Sequence, residues 1–342
     1  METDQDMGES NMKKSLRGKL KNGFMSLLLP LIIYCVFTLV SGFRFGRLPV
    51  MLSIARQIVQ TGLFAYAIYC NMAMGMWDFS AGATVLLAAI IGGRASLAAG
   101  FGIWGLILFA ILTAVCINLL TMTVQHIMKL PSIIVSLGLV MLYETAGSLL
   151  FHGEGVNLLA IREQTVLGKS PYCFIVLGIS MILFYTVLCH TTFGYHVRAL
   201  GSGGELAKNI GVNELRTKLG TAVFGGVFLG ISAAVMACLQ NSAAPKTNLE
   251  SVTLVFDVIM AVLIASYLAR YCNITFAILI GVLSMKMLAA GLLSIGLNST
   301  MQNVATGLFM LLFVGITSNQ EKLTEHKRMR ERARAVADTG KE

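Results

Sequence analysis

The sequence predicts an all-α protein that crosses a membrane many times, with about ten transmembrane helices. Of its 342 residues, 56% are hydrophobic and only 13% are charged, whereas in soluble domains roughly 25% of residues are charged. Several apolar runs reach about 18 residues or more, long enough for a helix to cross the hydrocarbon layer of a bilayer. The strict alternation of polar and apolar residues that is typical of transmembrane barrels is not seen in the sequence.

The chain divides into three regions. Residues 1–23 form a polar leader, residues 24–317 hold the apolar runs, and residues 318–342 form a charged tail. The first run follows a mixed-charge leader that lacks a small-residue cleavage site, so we expect it to remain as a helix. The predicted spans are residues 24–41, 54–76, 79–99, 101–122, 132–151, 172–189, 221–239, 252–268, 274–296 and 301–317.

The distribution of positive charge predicts the orientation of these spans. Ten crossings place both termini on one side. If that side is the cytoplasm, eighteen of the 26 Lys and Arg residues fall in cytoplasmic segments and seven in external ones, with Lys286 inside a span. This excess predicts cytoplasmic termini. The net charge of +9 is therefore explained by topology rather than by nucleic-acid binding, for which the sequence has no recognition motif.

The longest polar interruption, residues 190–218, has the signals of a short helix. Ser202 can cap its start, Glu205 stands three residues later as in a capping box, and Gly211 can end it. Leu206 and Ile210 would share one face of about two turns. Such a helix could be gripped by a partner, or it could be a solvated connector; the residues alone leave both open.

The sequence FGYHVRALGSGGELAKNIGVN within this interruption resembles the cytoplasmic loop of ribose-type ABC importer permeases. In that family the loop carries a coupling helix that docks on an ATPase subunit. The matching positions are Thr192, Phe193, Gly194, Ala199, Leu200, Gly201, Ala207, Gly211 and Val212. The resemblance implies coupling through Ser202, Glu205, Leu206, Ala207 and Ile210.

Two further stretches carry the same resemblance, which covers roughly residues 50–317. GMWDFSAG at 75–82 is similar to the family's G-G-(I/L)-D-L-S-V-G, and LPSIIVSLGLVMLYETAGSLLF at 130–151 is similar to its Q-P-F-I-A-T-L-G segment. The chain departs from the family at residues 264–273, where IASYLARYCN replaces a glycine-rich turn. We expect a stiffer and bulkier turn there, as in a divergent subunit working beside a more typical permease chain.

Polar residues in or beside the spans are candidates for a solute path. Asp78 and Ser80 can cap the start of a helix where lipid would leave N–H groups unpaired, or they can contact a solute. Glu144 can bind a polar ligand or pair with another helix. With Asn241, these residues make up the predicted path.

Two other intramembrane charges, Asp257 and Lys286, would lower each other's burial cost if they formed an ion pair. A proton relay through Asp78, Glu144 and Asp257 is the sharper alternative. It would make the protein a secondary transporter driven by an ion gradient. The three carboxylates show no helical spacing that would join them in a chain.

No enzyme constellation is recognisable in the sequence. The five His residues are isolated from Cys or carboxylate ligands at metal-binding spacing. GSGG at 201–204 lacks the Lys-Ser/Thr of a Walker A loop, so we expect this chain to bind no cofactor or metal. The resemblance instead places ATP and Mg on a partner ATPase.

The combined expectation is the permease subunit of a bacterial inner-membrane ABC importer for a small polar solute, with a monosaccharide favoured. The resemblance implies two cytoplasmic ATPases, an external solute-binding protein and a second permease chain, identical or different. The permease chains would be surrounded by membrane lipid. Two other classes stay open at this point: the gradient-driven transporter, and a membrane scaffold that moves no solute.

Overall fold

The computed structural model describes residues 23, 25–158, 165–298, 300–309, 311–313 and 315, except for the side chain of Glu205. The predicted leader, apart from Gly23, and the predicted tail lie outside these residues. The helices are α1 (Met25–Val40), α2 (Leu48–Ala73), α3 (Ala81–Ala99), α4 (Gly102–Met128), α5 (Ser132–Leu150), α6 (Tyr172–His190), α7 (Thr192–Ser202), α8 (Gly204–Asn209), α9 (Glu214–Gln240), α10 (Val252–Leu268), α11 (Ile274–Ser294) and α12 (Thr300–Phe313, with residue 310 outside the description).

Within the described residues, seven helices are long and apolar enough to cross a membrane: α2, α3, α4, α5, α6, α9 and α11. Three further apolar helices, α1, α10 and α12, are shorter, at 10–17 residues. The expected helical fold with many membrane spans is confirmed. The number of ten crossings and the side on which the termini lie stay predictions.

Several helices extend beyond the apolar run that revealed them. The second span was predicted to begin at residue 54, but α2 begins at Leu48 with a proline in its first turn, a position that suits proline. Likewise, α9 begins at Glu214, seven residues before the predicted span. The side chain of Asn213 caps its start by accepting a hydrogen bond from the backbone N–H of Arg216 at 3.0 Å. Hydropathy detects only the part of a helix that lies in lipid, whereas caps set its ends.

Small residues allow the central helices to pack closely. At the crossing of α4 and α9, a Cβ atom added to Gly226 would lie 2.7 Å from the Cα of Val115. One added to Gly230 would overlap the backbone of Ile111. Without a hydrophobic driving force between helices in lipid, such close backbone contact is what holds spans together.

Helix α10 starts inside the protein. Ser251, the residue before it, is fully buried, and a Cβ atom on Gly82 in α3 would collide with the carbonyl oxygen of Ser251. The 17 residues of α10 extend only about 26 Å, less than the roughly 30 Å of a hydrocarbon core. Its interior start accounts for its short length.

The irregular turn expected at residues 264–273 is shorter than predicted. Residues 264–268 form the last turn of α10, and Ile264 and Ala265 are buried. The turn proper is residues 269–273, and Asn273 caps α11 by accepting from the N–H of Thr275 at 3.3 Å. The apolar residues that replace the family's glycines continue a buried helix, which glycines would weaken.

The bundle has two distinct ends, separated by the roughly 40 Å length of α9. At one end α7 and α8 precede the start of α9; this is called the α8 end. At the other, two short strands pair antiparallel, β1 (Val156–Asn157) with β2 (Ser242–Ala243), in the register Val156 to Ala243 and Asn157 to Ser242. This is called the strand end.

Candidate functional site

The polar interruption between α6 and α9 folds into two helices rather than one. The positive φ of Gly203 (151°) separates α7 from α8, and the positive φ of Gly211 (85°) follows the end of α8. The predicted role of Ser202 as a cap is wrong. Ser202 is the last residue of α7, and its hydroxyl donates to the carbonyl oxygen of Arg198 at 3.1 Å. With φ at 151°, a glycine makes the break itself, and no side-chain cap is used at the start of α8.

Helix α8 buries one side and presents the other. Ala207 is 1% exposed and packs in a small apolar cluster with Met74 and Val212. Leu206 and Ile210 are 68% and 73% exposed. Glu205 lies in α8 as well, but its side chain is outside the description. The helix is thus seated on the protein through a small residue while two large apolar side chains project from it.

One ion pair and a backbone bond hold α8 against the start of α9, and a second ion pair within α9 fixes the shared carboxylate. The N–H of Val212 donates to the carbonyl oxygen of Ala207 at 3.0 Å. A carboxylate oxygen of Glu214 lies 3.1 Å from the Nζ of Lys208, and the other lies 2.8 Å from the Nζ of Lys218. A carboxylate shared between two lysines from α8 and α9 couples the position of α8 to that of a membrane helix.

Close packing also joins α7 to α2. A Cβ atom on Gly201 would overlap the carbonyl oxygen of Ala73, the last residue of α2. Only glycine permits this approach. The backbone of α7 therefore lies directly against the end of α2.

Asp78 and Ser80, two predicted path residues, form the centre of a buried polar network. They are 2% and 0% exposed. One carboxylate oxygen of Asp78 accepts from the N–H of Ser80 at 3.0 Å and from its hydroxyl at 2.6 Å, and the other accepts from the Asn71 amide at 3.3 Å. In this conformation Asp78 stabilises the turn before α3 and is enclosed by protein.

The network continues into two more helices. The hydroxyl of Ser80 lies 3.3 Å from that of Thr121 in α4, which lies 2.9 Å from that of Tyr143 in α5. Hydrogen-bonded hydroxyls in a dry interior rigidify the helices that carry them. Sequence reasoning missed Thr121 and Tyr143 because single hydroxyls in apolar runs carry no spacing signal.

Glu144 has a structural partner set. It is 6% exposed, and its two oxygens accept from the backbone N–H groups of Leu249 and Ser251, each at 2.8 Å. These donors lead into the start of α10, where the helix dipole favours a negative charge. Of the two roles left open by the sequence, contact with another segment is the one observed.

Asn241 lies apart from the other predicted path residues, at the strand end. It ends α9 in a left-handed conformation with φ 57°, which asparagine tolerates better than most residues. Its carbonyl oxygen accepts from the N–H of Leu158 at 2.9 Å. The structure therefore brings Asp78 and Ser80 together, places Glu144 next in sequence to Tyr143 of their network, and separates Asn241 from them.

Asp257 and Lys286 do meet. A carboxylate oxygen of Asp257 lies 3.7 Å from the Nζ of Lys286. Lys286 stands about 12 Å from the nearer end of α11. Each charge lowers the free-energy cost of holding the other among the spans.

Lys286 also lines a polar cavity of about 640 Å³ between α2, α9, α10 and α11. The hydrophilic lining residues are Ser53, Arg56, Gln57, Gln60, Thr61, Gln240 and Lys286. Amides and hydroxyls both donate and accept hydrogen bonds, which suits a polar solute rich in hydroxyls. The sequence held a signal for this cavity: Ser53, Gln57 and Gln60 repeat at helical spacing through an apolar run.

In the described part of the chain, no three His, Cys, Asp or Glu side chains lie together as a metal-binding group.

Comparison with known proteins connects this architecture to transport. The chain is similar to the xylose transport system permease protein XylH of Haemophilus influenzae, with 29% identity over 155 residues, 45% of this chain and 40% of XylH. It is similar to the probable ABC transporter permease protein YphD of Escherichia coli, with 27% identity over 42% of this chain and 43% of YphD. The fructose import permease protein FrcC of Rhizobium meliloti is 23% identical over 89% of both chains.

The matches to XylH and YphD thus span only about two fifths of those relatives. The family match is broader, because residues 50–316 fit the pattern described as branched-chain amino acid transport system / permease component. The seven apolar helices and the bacterial permease relatives identify a multi-pass protein of the plasma membrane. The resemblance to ribose-type permeases is confirmed, and the chain belongs to this family of transport-system permease components.

Proposed function

We propose that this chain is the permease subunit of an ABC importer that carries a monosaccharide across the bacterial plasma membrane, with ATP hydrolysed by a separate subunit. The observation that carries the proposal is α8: a short helix seated on Ala207 that exposes Leu206 and Ile210. Such a pair is the kind of anchor that a groove on a partner protein buries.

The mechanism follows from how α8 is held. An ATPase that closes around Leu206 and Ile210 moves α8, and the Lys208–Glu214 ion pair passes this movement to α9. Close contact between Gly201 and Ala73 passes it to α2. The first turns of α2 and the last turn of α9 line the polar cavity at the strand end. Rigid rotation of these two helices would therefore alter access to the cavity.

The solute class is supported by the cavity and by the relatives. The printed names of XylH and FrcC refer to xylose and fructose. The polar cavity here offers three glutamine amides and two hydroxyls, a set that pairs with sugar hydroxyls. We therefore favour a monosaccharide over the branched-chain amino acids in the family's description, since an aliphatic side chain would need an apolar pocket.

The partners follow from the same proposal. Two such chains around a central path, two cytoplasmic ATPases and an external solute-binding protein complete the importer. Exposed polar lining at the surface of a membrane domain is expensive in lipid, which supports a second permease chain or water facing the cavity. Ser202 and Glu205 remain candidates for contact with the ATPase beside Leu206, Ala207 and Ile210.

The test is replacement of the two exposed side chains of α8. Burying one leucine or isoleucine contributes about 1.5–3 kcal/mol, and every 1.4 kcal/mol is about tenfold in affinity. The Leu206→Asp/Ile210→Asp variant should therefore bind the co-expressed ATPase at least tenfold more weakly and lose uptake of radiolabelled sugar, while reaching the membrane at normal levels.

The matched control is Leu48→Asp. Leu48 is equally exposed, at 72%, but lies at the first position of α2 on the strand end, where an acidic residue suits the helix dipole. It should leave both ATPase binding and uptake unchanged. Normal uptake by the α8 double variant would refute the coupling role.

A further inference from the structure

A second cavity lies at the α8 end, between the end of α4, the start of α5, α8 and the start of α9. It measures about 660 Å³, and its polar lining is Gln125, His126, Lys129, Ser132, Lys208, Glu214 and Lys218. With His126 neutral, three lysines and one glutamate leave a charge of +2. Glu214 pairs with Lys208 and Lys218, whereas no described carboxylate pairs with Lys129. The cavity therefore attracts anions.

Gln125 brings an unpaired polar side chain to the wall of this cavity. Its side chain is 5% exposed, yet neither its amide oxygen nor its amide nitrogen has a hydrogen-bond partner in the described structure. Buried amides are nearly always paired. The nitrogen can donate to a phosphate oxygen, and the oxygen needs a donor such as a hydroxyl. A phosphate ester that also carries hydroxyl groups satisfies both.

An apolar groove of about 260 Å³ continues from the cavity along the outer faces of α4 and α5. Leu130 lines both spaces. The groove is bounded by the exposed side chains of Ile134 and Leu142 and floored by Leu139, which is 6% exposed. From Ile134 to Leu142 it runs about 12 Å along α5. Both helices are candidate membrane spans, so the groove lies within the apolar layer.

Gly138 keeps the groove open. It stands in the middle of α5 and lines the groove, and a Cβ atom added to it would meet nothing within 4 Å. Close packing against a neighbouring residue therefore does not explain why this position is a glycine. It does leave room for a chain lying along the helix.

We propose that the α8 end binds one anionic phospholipid, with its phosphate and headgroup hydroxyls in the basic cavity and one acyl chain in the groove past Gly138. A polar charged cavity that opens at its rim into an apolar groove has the layout of a phospholipid, and basic pockets between spans suit acidic headgroups. This site requires only the membrane, so it does not depend on the solute or on an ATPase.

The site would also bear on α8. The phosphate would lie among lysines from the α4–α5 connection, α8 and α9. Lys208 stands about 200° around the helix from Leu206, so a bound headgroup leaves the exposed pair of α8 free. The lipid would then stabilise α8 through the face that is opposite Leu206.

The test measures lipid binding to the isolated, delipidated chain by native mass spectrometry. The probes are phosphatidylglycerol, phosphatidylcholine and soluble glycerol 3-phosphate. Phosphatidylglycerol should bind at least tenfold more tightly than either of the others. Equal binding of the two lipids would overturn the headgroup site, and equally tight glycerol 3-phosphate would show a site for free phosphate esters instead of lipid.

Matched variants locate the two parts of the site. Lys129→Asn should weaken phosphatidylglycerol binding about tenfold, because asparagine accepts the positive φ of 53° there but brings no charge; Lys169→Asn, at the strand end, should not. Gly138→Leu should weaken it by filling the groove, whereas Gly178→Leu on α6, where a Cβ atom also meets nothing within 4 Å, should have no effect.

The Gln125→Leu variant distinguishes a role in lipid binding from a role in the stability of the fold. It removes an unpaired buried amide, so the unfolding temperature should hold or rise, while affinity for phosphatidylglycerol should fall severalfold. Unchanged affinity in Gln125→Leu or Lys129→Asn would disprove the headgroup site. If these variants instead lost only the ATPase, the cavity would be a protein contact and the lipid proposal wrong, whatever the outcome for the α8 double variant.

Discussion

At the scale of single residues, Glu144 explains how a membrane carboxylate can be retained without a ligand. Two adjacent residues, Asn248 and Leu249, have positive φ values of 61° and 63°, and this conformation is strained for leucine. The carboxylate accepts from the N–H groups of Leu249 and Ser251. It thereby fixes the conformation of the strained loop before α10 and satisfies donors that lipid would leave unpaired.

Replacing Glu144 with glutamine should therefore destabilise the protein without altering its shape. The amide can accept only one of the two N–H bonds and turns an NH₂ group toward the other, so the free energy of unfolding should fall by about 1–3 kcal/mol. Denaturant unfolding in detergent measures it. The control is Glu250→Gln in the same loop, whose exposed carboxylate pairs only with Lys246 at the surface and should change stability by less than about 0.5 kcal/mol. Equal effects of the two changes would contradict this account.

At the scale of elements, we expect α7 and α8 to move as a lever with its pivot at Gly201. The backbone of α7 at Gly201 touches the carbonyl oxygen of Ala73 at the end of α2. α8 follows after the break at Gly203. An added methyl group at the pivot must push α7 away from α2, because the obstacle is backbone and cannot rotate aside.

Gly201→Ala should therefore loosen the lever. Overpacking of this kind costs about 1–3 kcal/mol, and we expect faster hydrogen exchange of the α8 amides together with reduced uptake. Gly204→Ala is the matched control, because a Cβ atom there meets nothing within 4 Å. It should stabilise the helix by about 0.4–1 kcal/mol. Slow exchange in both variants would show that the contact at Ala73 is not a pivot.

At the scale of the whole molecule, the three membrane carboxylates serve three separate places. Asp78 is held by Ser80 and Asn71, Glu144 by the loop before α10, and Asp257 lies beside Lys286. These partner sets share no residue. The arrangement favours structural roles over a proton relay, and hence the ATP-driven importer over the gradient-driven alternative.

The polar cavity provides the whole-molecule test. A face carrying Arg56 and three glutamines is unfavourable against lipid, so it should contact water or a second chain. In a cysteine-free background, Gln57→Cys should react with a charged, membrane-impermeant thiol reagent at least tenfold faster than Leu108→Cys, an equally exposed position on α4. Added solute should protect Gln57→Cys. Equal, slow labelling at both positions would mean that the cavity faces lipid.

Much of the site could be anticipated from the sequence, and the misses have physical causes. Residues with a fixed spacing or a special backbone were found: Leu206 and Ile210 by helical period, and Gly211 by its role after a helix. Ser202 was assigned to the wrong helix, because a capping pattern does not reveal that the break between the two helices falls at Gly203, after the serine. Arg56, Thr121 and Tyr143 were missed because their importance depends on neighbours from distant helices.

The sequence by itself determined that this protein is helical and lies in a membrane, because the length and hydropathy of a span are local properties. It also determined that a short helix ends before Gly211, because a glycine that ends a helix acts within a few residues. Only the tertiary structure decided which charges meet, which carboxylate holds α10 and where the two polar cavities open. Those outcomes depend on the close packing of helices far apart in the chain, and hydropathy carries no record of which faces touch.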